Sequence, residues 1–273
     1  MDAQISPVLF AFALSLAAGL STGIGGLIAI SGKQLSRKMF SAAMGFSAGV
    51  MIYISFVELL DDAFLELAPF EYGKWYVLAA FFGGIALIAI IDKLVPEEEN
   101  PHEMLGIDKV IEDDLVCEAR NKKKMMRTGI FAAVVIAIHN FPEGMASFFS
   151  ALSNPTLGIS IAFAIAIHNI PEGISIAVPL RYADGSKKKA FGVALLSGLS
   201  EPIGAIIGYA ILAPFITETI LAIIFAVVAG IMVYISVDEL IPAAEASGEH
   251  HHSIFGFVAG MAVMAVSLFM FQA

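Results

Sequence analysis

The amino-acid sequence predicts an all-α integral membrane protein with eight transmembrane helices. Three observations carry that expectation. The 273 residues are 58% hydrophobic and only 15% charged, with a mean hydropathy of +0.84, whereas soluble domains run near 45–50% apolar and about 25% charged. Apolar runs long enough to cross a bilayer, about 20 residues each, recur along the whole chain. The basic residues gather in alternate connections between those runs. Open sheet edges are not viable in lipid, so the runs are helices.

The runs fall at approximately 5–30, 39–60, 75–91, 126–152, 156–180, 188–213, 217–242 and 254–272. No basic residue precedes the first, and it exceeds a typical signal-peptide core, so it is expected to remain as a helix. Lys33, Arg37 and Lys38 lie in the first connection, and Arg181, Lys187, Lys188 and Lys189 in the fifth. Lys93, Lys109, Arg120, Lys122, Lys123, Lys124 and Arg127 lie in or beside the third. Only Lys74 falls opposite, so fourteen of the fifteen basic residues share one side. Because Lys and Arg are retained in the cytoplasm, both termini are expected outside. The net charge of −10 carries no nucleic-acid signal. The single Cys117 offers neither a disulfide framework nor a cysteine metal site.

The longest polar stretch, 96–124, runs from "PEEEN" to "ARNKKK" and is expected to be a flexible cytoplasmic loop, with a short helix near Lys109–Ala119. Two internal matches organise the rest. "AGVMIYISFVELL" at 48–60 matches "AGIMVYISVDELI" at 229–241, and "GLSTGIG" at 19–25 matches "GLSEPIG" at 198–204. Helices one and two are therefore counterparts of helices six and seven, running in opposite senses, as in the inverted repeats of transporters. Helices three and eight share only glycines and other small residues. The expected arrangement is 3+2+3, with helices four and five central.

Those central helices carry "HNFPEG" at 139–144 and "HNIPEG" at 168–173. Residues three and four apart share a helical face, so His139, Asn140 and Glu143 lie together, as do His168, Asn169 and Glu172. Each motif lies near mid-span. Pro142 and Pro171 leave the carbonyls of Ile138 and Ile167 without their usual donors, and Gly144 and Gly173 allow close helix approach. No basic residue lies in a span away from its ends. Glu143, Glu172 and the similarly deep Glu201 must then be protonated, hydrated or compensated by a bound cation. Imidazole suits zinc, iron, cobalt, nickel or copper, and carboxylate widens the range toward manganese; three carboxylates are enough to hold two ions. A lone Asn or His in one span is usually interhelical glue. The duplication, with carboxylates and no basic partner, favours a metal site.

The paired "HNFPEG" and "HNIPEG", followed by "SGLSEPIG" at 197–204, closely resemble the ZIP (Zrt/Irt-like) metal-ion transporters, especially the bacterial ZupT-like branch. The likeness covers the whole chain, so residues 1–273 are expected to form one ZIP-type transmembrane transporter domain. It implies import of zinc, with iron, manganese, cobalt or cadmium, toward the cytoplasm across the cell inner membrane through a binuclear centre. It also implies a homodimer, no prosthetic group and no enzymatic activity. Carried over by position, the implied ligands are His139, Asn140 and Glu143, then His168, Asn169 and Glu172, and Glu201; how two sub-sites share them stays open. Many relatives carry a His-rich loop after helix three, where this chain has only His102.

Further candidates lie along a path through the membrane. Glu58, near the outer end of helix two, and Met51 on the same face fit an entry route. Their repeat partners are Glu239 and Met232, and Asp238 and Glu239 fit an exit toward the cytoplasm. Asp61, Asp62 and Glu66 can concentrate cations at the outer mouth or simply form a solvated face. His250, His251 and His252 read more readily as a solvated turn than as a metal receiver. A membrane metalloenzyme using the same centre is the competing class, although the chain has no HExxH signature.

Overall fold

The computed structural model describes residues 6–31, 36–94, 115–246 and 248–272. Among these the regular elements are all helical, and eight helices are long and apolar enough to cross a membrane. They are α1 (Pro7–Ile30), α2 (Arg37–Leu67), α3 (Gly73–Leu94), α4 (Leu115–Ser153), α5 (Pro155–Asp184), α6 (Lys187–Phe215), α7 (Glu218–Glu245) and α8 (His250–Gln272). The protein is a multi-pass membrane protein.

Local chemistry sets where the helices begin. The hydroxyls of Ser6, Ser36, Ser186 and Thr217 each accept a backbone N–H three residues on. Asn154 accepts two, from Thr156 and Leu157. These caps satisfy first-turn donors that have no partner inside the helix. Pro7 and Pro155 occupy first-turn positions, where the missing N–H costs nothing. Gly185, with φ of 71°, closes α5 in the left-handed region.

Two boundaries differ from the sequence expectation. Helix α2 runs on to Leu67, because Ala63 and Leu67 are buried against Val77, Ala222 and Ala226. Asp61, Asp62 and Glu66 therefore lie on a helix rather than in a loop. Helix α4 reaches back to Leu115, so 120–124, read from sequence as loop, is helical, and the helix expected near Lys109–Ala119 is, over its described residues 115–119, continuous with the span. His102 and residues 95–114 lie outside the described residues.

Packing follows the repeat. Helices α1, α4, α5 and α6 pack chiefly on one another, whereas α2 pairs with α8 and α3 with α7. Gly19 and its repeat mate Gly198 press backbone to backbone where α1 crosses α6. Gly84 of α3 abuts Val227 of α7, and Gly260 of α8 abuts Phe46 of α2. Positions 46 and 227 are repeat mates, so α3 and α8 take equivalent places although their sequences barely match. The basic ends gather at one end of the bundle. There Arg181 at the end of α5 donates to the Ile30 carbonyl closing α1. Lys189 at the start of α6 lies 3.3 Å from Asp184 and reaches Met126 of α4. Trp75, Phe82, Ile211 and Phe269 project outward, toward where lipid would lie.

Candidate metal centre

Prolines interrupt the central helices without ending them: Pro142 lies inside α4 and Pro171 inside α5. Around them His139, Asn140, Glu143, His168, Asn169, Glu172 and Glu201 are all at most 1% exposed. The two motifs pair crosswise. His139 Nε2 lies 3.4 Å from Glu172 Oε1, and His168 Nε2 lies 3.3 Å from Glu143 Oε2. Each imidazole thus faces the carboxylate of the opposite helix rather than the one four residues along its own.

Protons on these groups follow from their partners. His168 Nδ1 is 3.1 Å from the Ala164 carbonyl. A carbonyl only accepts, so Nδ1 carries a hydrogen, and Nε2 is the ring nitrogen that faces Glu143. Asn169 Nδ2 donates to the Ala18 carbonyl at 3.0 Å and to Glu201 Oε1, which turns its acceptor oxygen elsewhere. Ser47 of α2 donates to the His168 carbonyl at 3.3 Å. Glu201 lies just past a break in α6 at Leu199, in the first turn of the segment Ser200–Leu212, where exposed N–H dipoles favour a carboxylate.

The centre is rich in buried polar atoms without hydrogen bonds among the described residues. They include both ring nitrogens of His139, both amide atoms of Asn140, Glu143 Oε1, Asn169 Oδ1, both Glu172 oxygens and Glu201 Oε2. Each such group costs about 1–3 kcal/mol of desolvation, more when charged. In this conformation no three His, Cys, Asp or Glu side chains among the described residues converge closely enough to hold one ion. The donors are paired off instead, so binding one ion with three of them requires side chains to turn.

The motif glycines set the spacing of the elements around this cluster. A Cβ on Gly144 would penetrate the Glu201 backbone carbonyl, and one on Gly173 the Thr22 carbonyl. Gly144 therefore brings α4 onto the α6 break, and Gly173 brings α5 onto α1.

The remaining candidates divide. Glu58 and Glu239 occupy matching π-helical turns, Ser55–Leu59 in α2 and Ser236–Leu240 in α7. In each, the leading serine donates its hydroxyl to the carbonyl of Met51 or Met232 at 2.7 Å. A π turn carries one extra residue per turn and frequently marks functional positions. Glu239 Oε2 lies 3.6 Å from His139 Nδ1. It thus reaches the centre itself. Asp238 is half-buried beside it. Glu58 is 6% exposed and stands nine residues before the end of α2, roughly 14 Å of helix. Met51 and Met232 are buried in the apolar core. Sequence reasoning missed Ser47 and the Ala18 carbonyl; a backbone acceptor leaves no signature in side-chain identity.

An eight-helix membrane bundle with imidazoles, carboxylates and amides buried at mid-depth defines a class: a helical membrane protein with a polar centre built for a charged solute. The family model described as ZIP zinc transporter matches residues 97–268. Zinc transporter ZupT of Chlorobium chlorochromatii is 55% identical, over 97% of this chain and 98% of that protein. Zinc transporter ZupT of Corynebacterium glutamicum is 55% identical over 97% and 100%, and that of Clostridium perfringens 52% over 98% of each. The chain belongs to the ZIP zinc transporter family, close to its ZupT-like members. These relatives are named as transporters, so the metalloenzyme alternative finds no support.

Proposed function

We propose that this protein imports zinc and related divalent cations, among them iron, manganese, cobalt and cadmium, across the cell inner membrane into the cytoplasm. The observation that carries the reading is the crossed His–Glu cluster, fully buried, without a Lys or Arg side chain and with many of its polar atoms unsatisfied among the described residues. Such a cluster is costly when empty of charge compensation, and a bound cation relieves that cost. His139 and Glu172 belong to one sub-site and His168, Glu143, Asn169 and Glu201 to the other, with Asn140 beside them and Glu239 on the far ring nitrogen of His139, making the centre binuclear. Metal is cargo here, not a resident cofactor.

Entry runs past Glu58 and Met51, and exit past Glu239 and Asp238. The α1/α4/α5/α6 group moves against the other four helices, so the centre faces first outside and then inside. Both termini lie outside, and the connection between α3 and α4 is on the cytoplasmic face. Residues 1–273 act as a single domain, and two copies associate as a homodimer.

The test is uptake of radioactive zinc into proteoliposomes holding the purified protein, beside the double variant His139→Ala with Glu143→Ala. Uptake by the wild type alone is expected. Equal uptake by both would remove the site as drawn.

A further inference from the structure

The turn joining α7 to α8 holds "EASGEHHH", residues 245–252, a cluster the central site leaves unused. Gly248, with φ of 72°, makes the turn. Ser41 of α2 fixes it by donating its hydroxyl to the carbonyls of Ala244 at 2.7 Å and Glu249 at 3.2 Å. Two of the three histidines at the start of α8, His250 and His252, are backed by carboxylates. His250 Nδ1 lies 2.7 Å from Glu245 Oε2, and His252 Nδ1 lies 3.3 Å from Glu249 Oε2.

A carboxylate on Nδ1 fixes the tautomer that leaves an Nε2 lone pair free, which is the arrangement of a metal-binding imidazole. The His250 and His251 rings stand 5.7 Å apart, tilted by 56°. Two imidazoles on one tetrahedral zinc, with Zn–N near 2.0–2.1 Å, place their ring centres about 5 Å apart. Modest side-chain rotation is enough to close that difference. A helix N-terminus disfavours a cation, but Glu245 and Glu249 oppose that field. With two protein donors and water completing the shell, binding is weak and exchange fast.

We propose that this turn is a second metal-binding station, where His250 and His251 take a zinc-class divalent cation leaving the central site. The role as a station after the centre rests on the transport reading; the binding itself does not. Glu245 follows Glu239 by six residues on α7, roughly 9 Å along the helix, and Glu239 touches His139.

The experiment is equilibrium cobalt and zinc titration of the full-length protein in detergent, with the centre disabled by His139→Ala and Glu143→Ala. We expect residual weak binding with cobalt absorption typical of nitrogen ligands. Adding His250→Ala and His251→Ala should abolish it, and Glu245→Gln alone should weaken it on the order of tenfold. Residual binding indifferent to His250 and His251, or none at all, overturns the station. A parallel uptake assay separates the two readings. Wild type that binds metal at the turn but transports none leaves the site standing and sinks the transport reading. Normal uptake with no binding at the turn does the reverse.

Discussion

His168 Nε2 lies 3.3 Å from Glu143 Oε2, and its counterpart His139 Nε2 lies 3.4 Å from Glu172 Oε1. The duplicated motif is therefore joined across the α4–α5 interface, and neither copy is a complete site alone. Removing one partner leaves the other buried and unpaired, so variants within a pair should be strongly coupled. His139→Ala and Glu172→Ala are each expected to weaken zinc binding at least tenfold, with the double variant little worse than either. Calorimetric titration of the four proteins checks this. Fully additive losses would mean that the two residues serve different ions.

Glu143→Ala is expected to reduce zinc uptake to background while expression and membrane insertion stay normal. Uptake near wild-type level, with the variant correctly inserted, would exclude Glu143 from the path.

Zinc needs neutral imidazole and ionised carboxylate, so protons compete with it for the same atoms. Apparent zinc affinity should fall as the pH drops from about 7 to 5. The direction follows because the protonated ligand is the form that cannot bind. Equilibrium binding measured in buffers over that interval provides the check, and a flat profile would exclude titrating ligands.

Gly144→Ala and Gly173→Ala force a methyl group into the backbone carbonyls of Glu201 and Thr22. Overpacking of this kind costs about 1–3 kcal/mol, and here it also moves the helices that hold the ligands. Lower thermal stability in detergent and reduced uptake are expected for both. Gly83 and Gly192 have nothing within 4 Å of an added Cβ. Alanine there should be neutral or stabilising by up to about 1 kcal/mol, as helix propensity dictates. If all four substitutions behave alike, contact at the motif glycines is not what matters.

Asn169 ties α5 to the α1 backbone through Ala18 and to α6 through Glu201. Asn169→Ala strands the Glu201 carboxylate and the Ala18 carbonyl, at about 1–3 kcal/mol for an unsatisfied buried group. A lowered unfolding temperature in detergent is expected even without zinc, whereas a residue acting only as a metal ligand would change stability only with metal present.

The sequence by itself determined the eight spans, the side on which basic residues gather, and the identities of the seven polar residues that cluster at mid-depth. It did so because a bilayer imposes length and hydropathy on any chain that crosses it, and because buried carboxylates without basic partners stand out against Ile, Ala and Phe. Only the tertiary structure decided who faces whom. Helical periodicity places His139 with Glu143, yet the packing of α4 against α5 turns each imidazole to the neighbouring helix. It also drew Glu239 onto His139, because the π turn at Ser236–Leu240 shifts that side chain in a way residue spacing does not encode. The correspondence between α3 and α8 was hidden for a related reason. Lipid-facing helices conserve shape through small residues at their contacts, and shape becomes visible only when Gly84 meets Val227 and Gly260 meets Phe46.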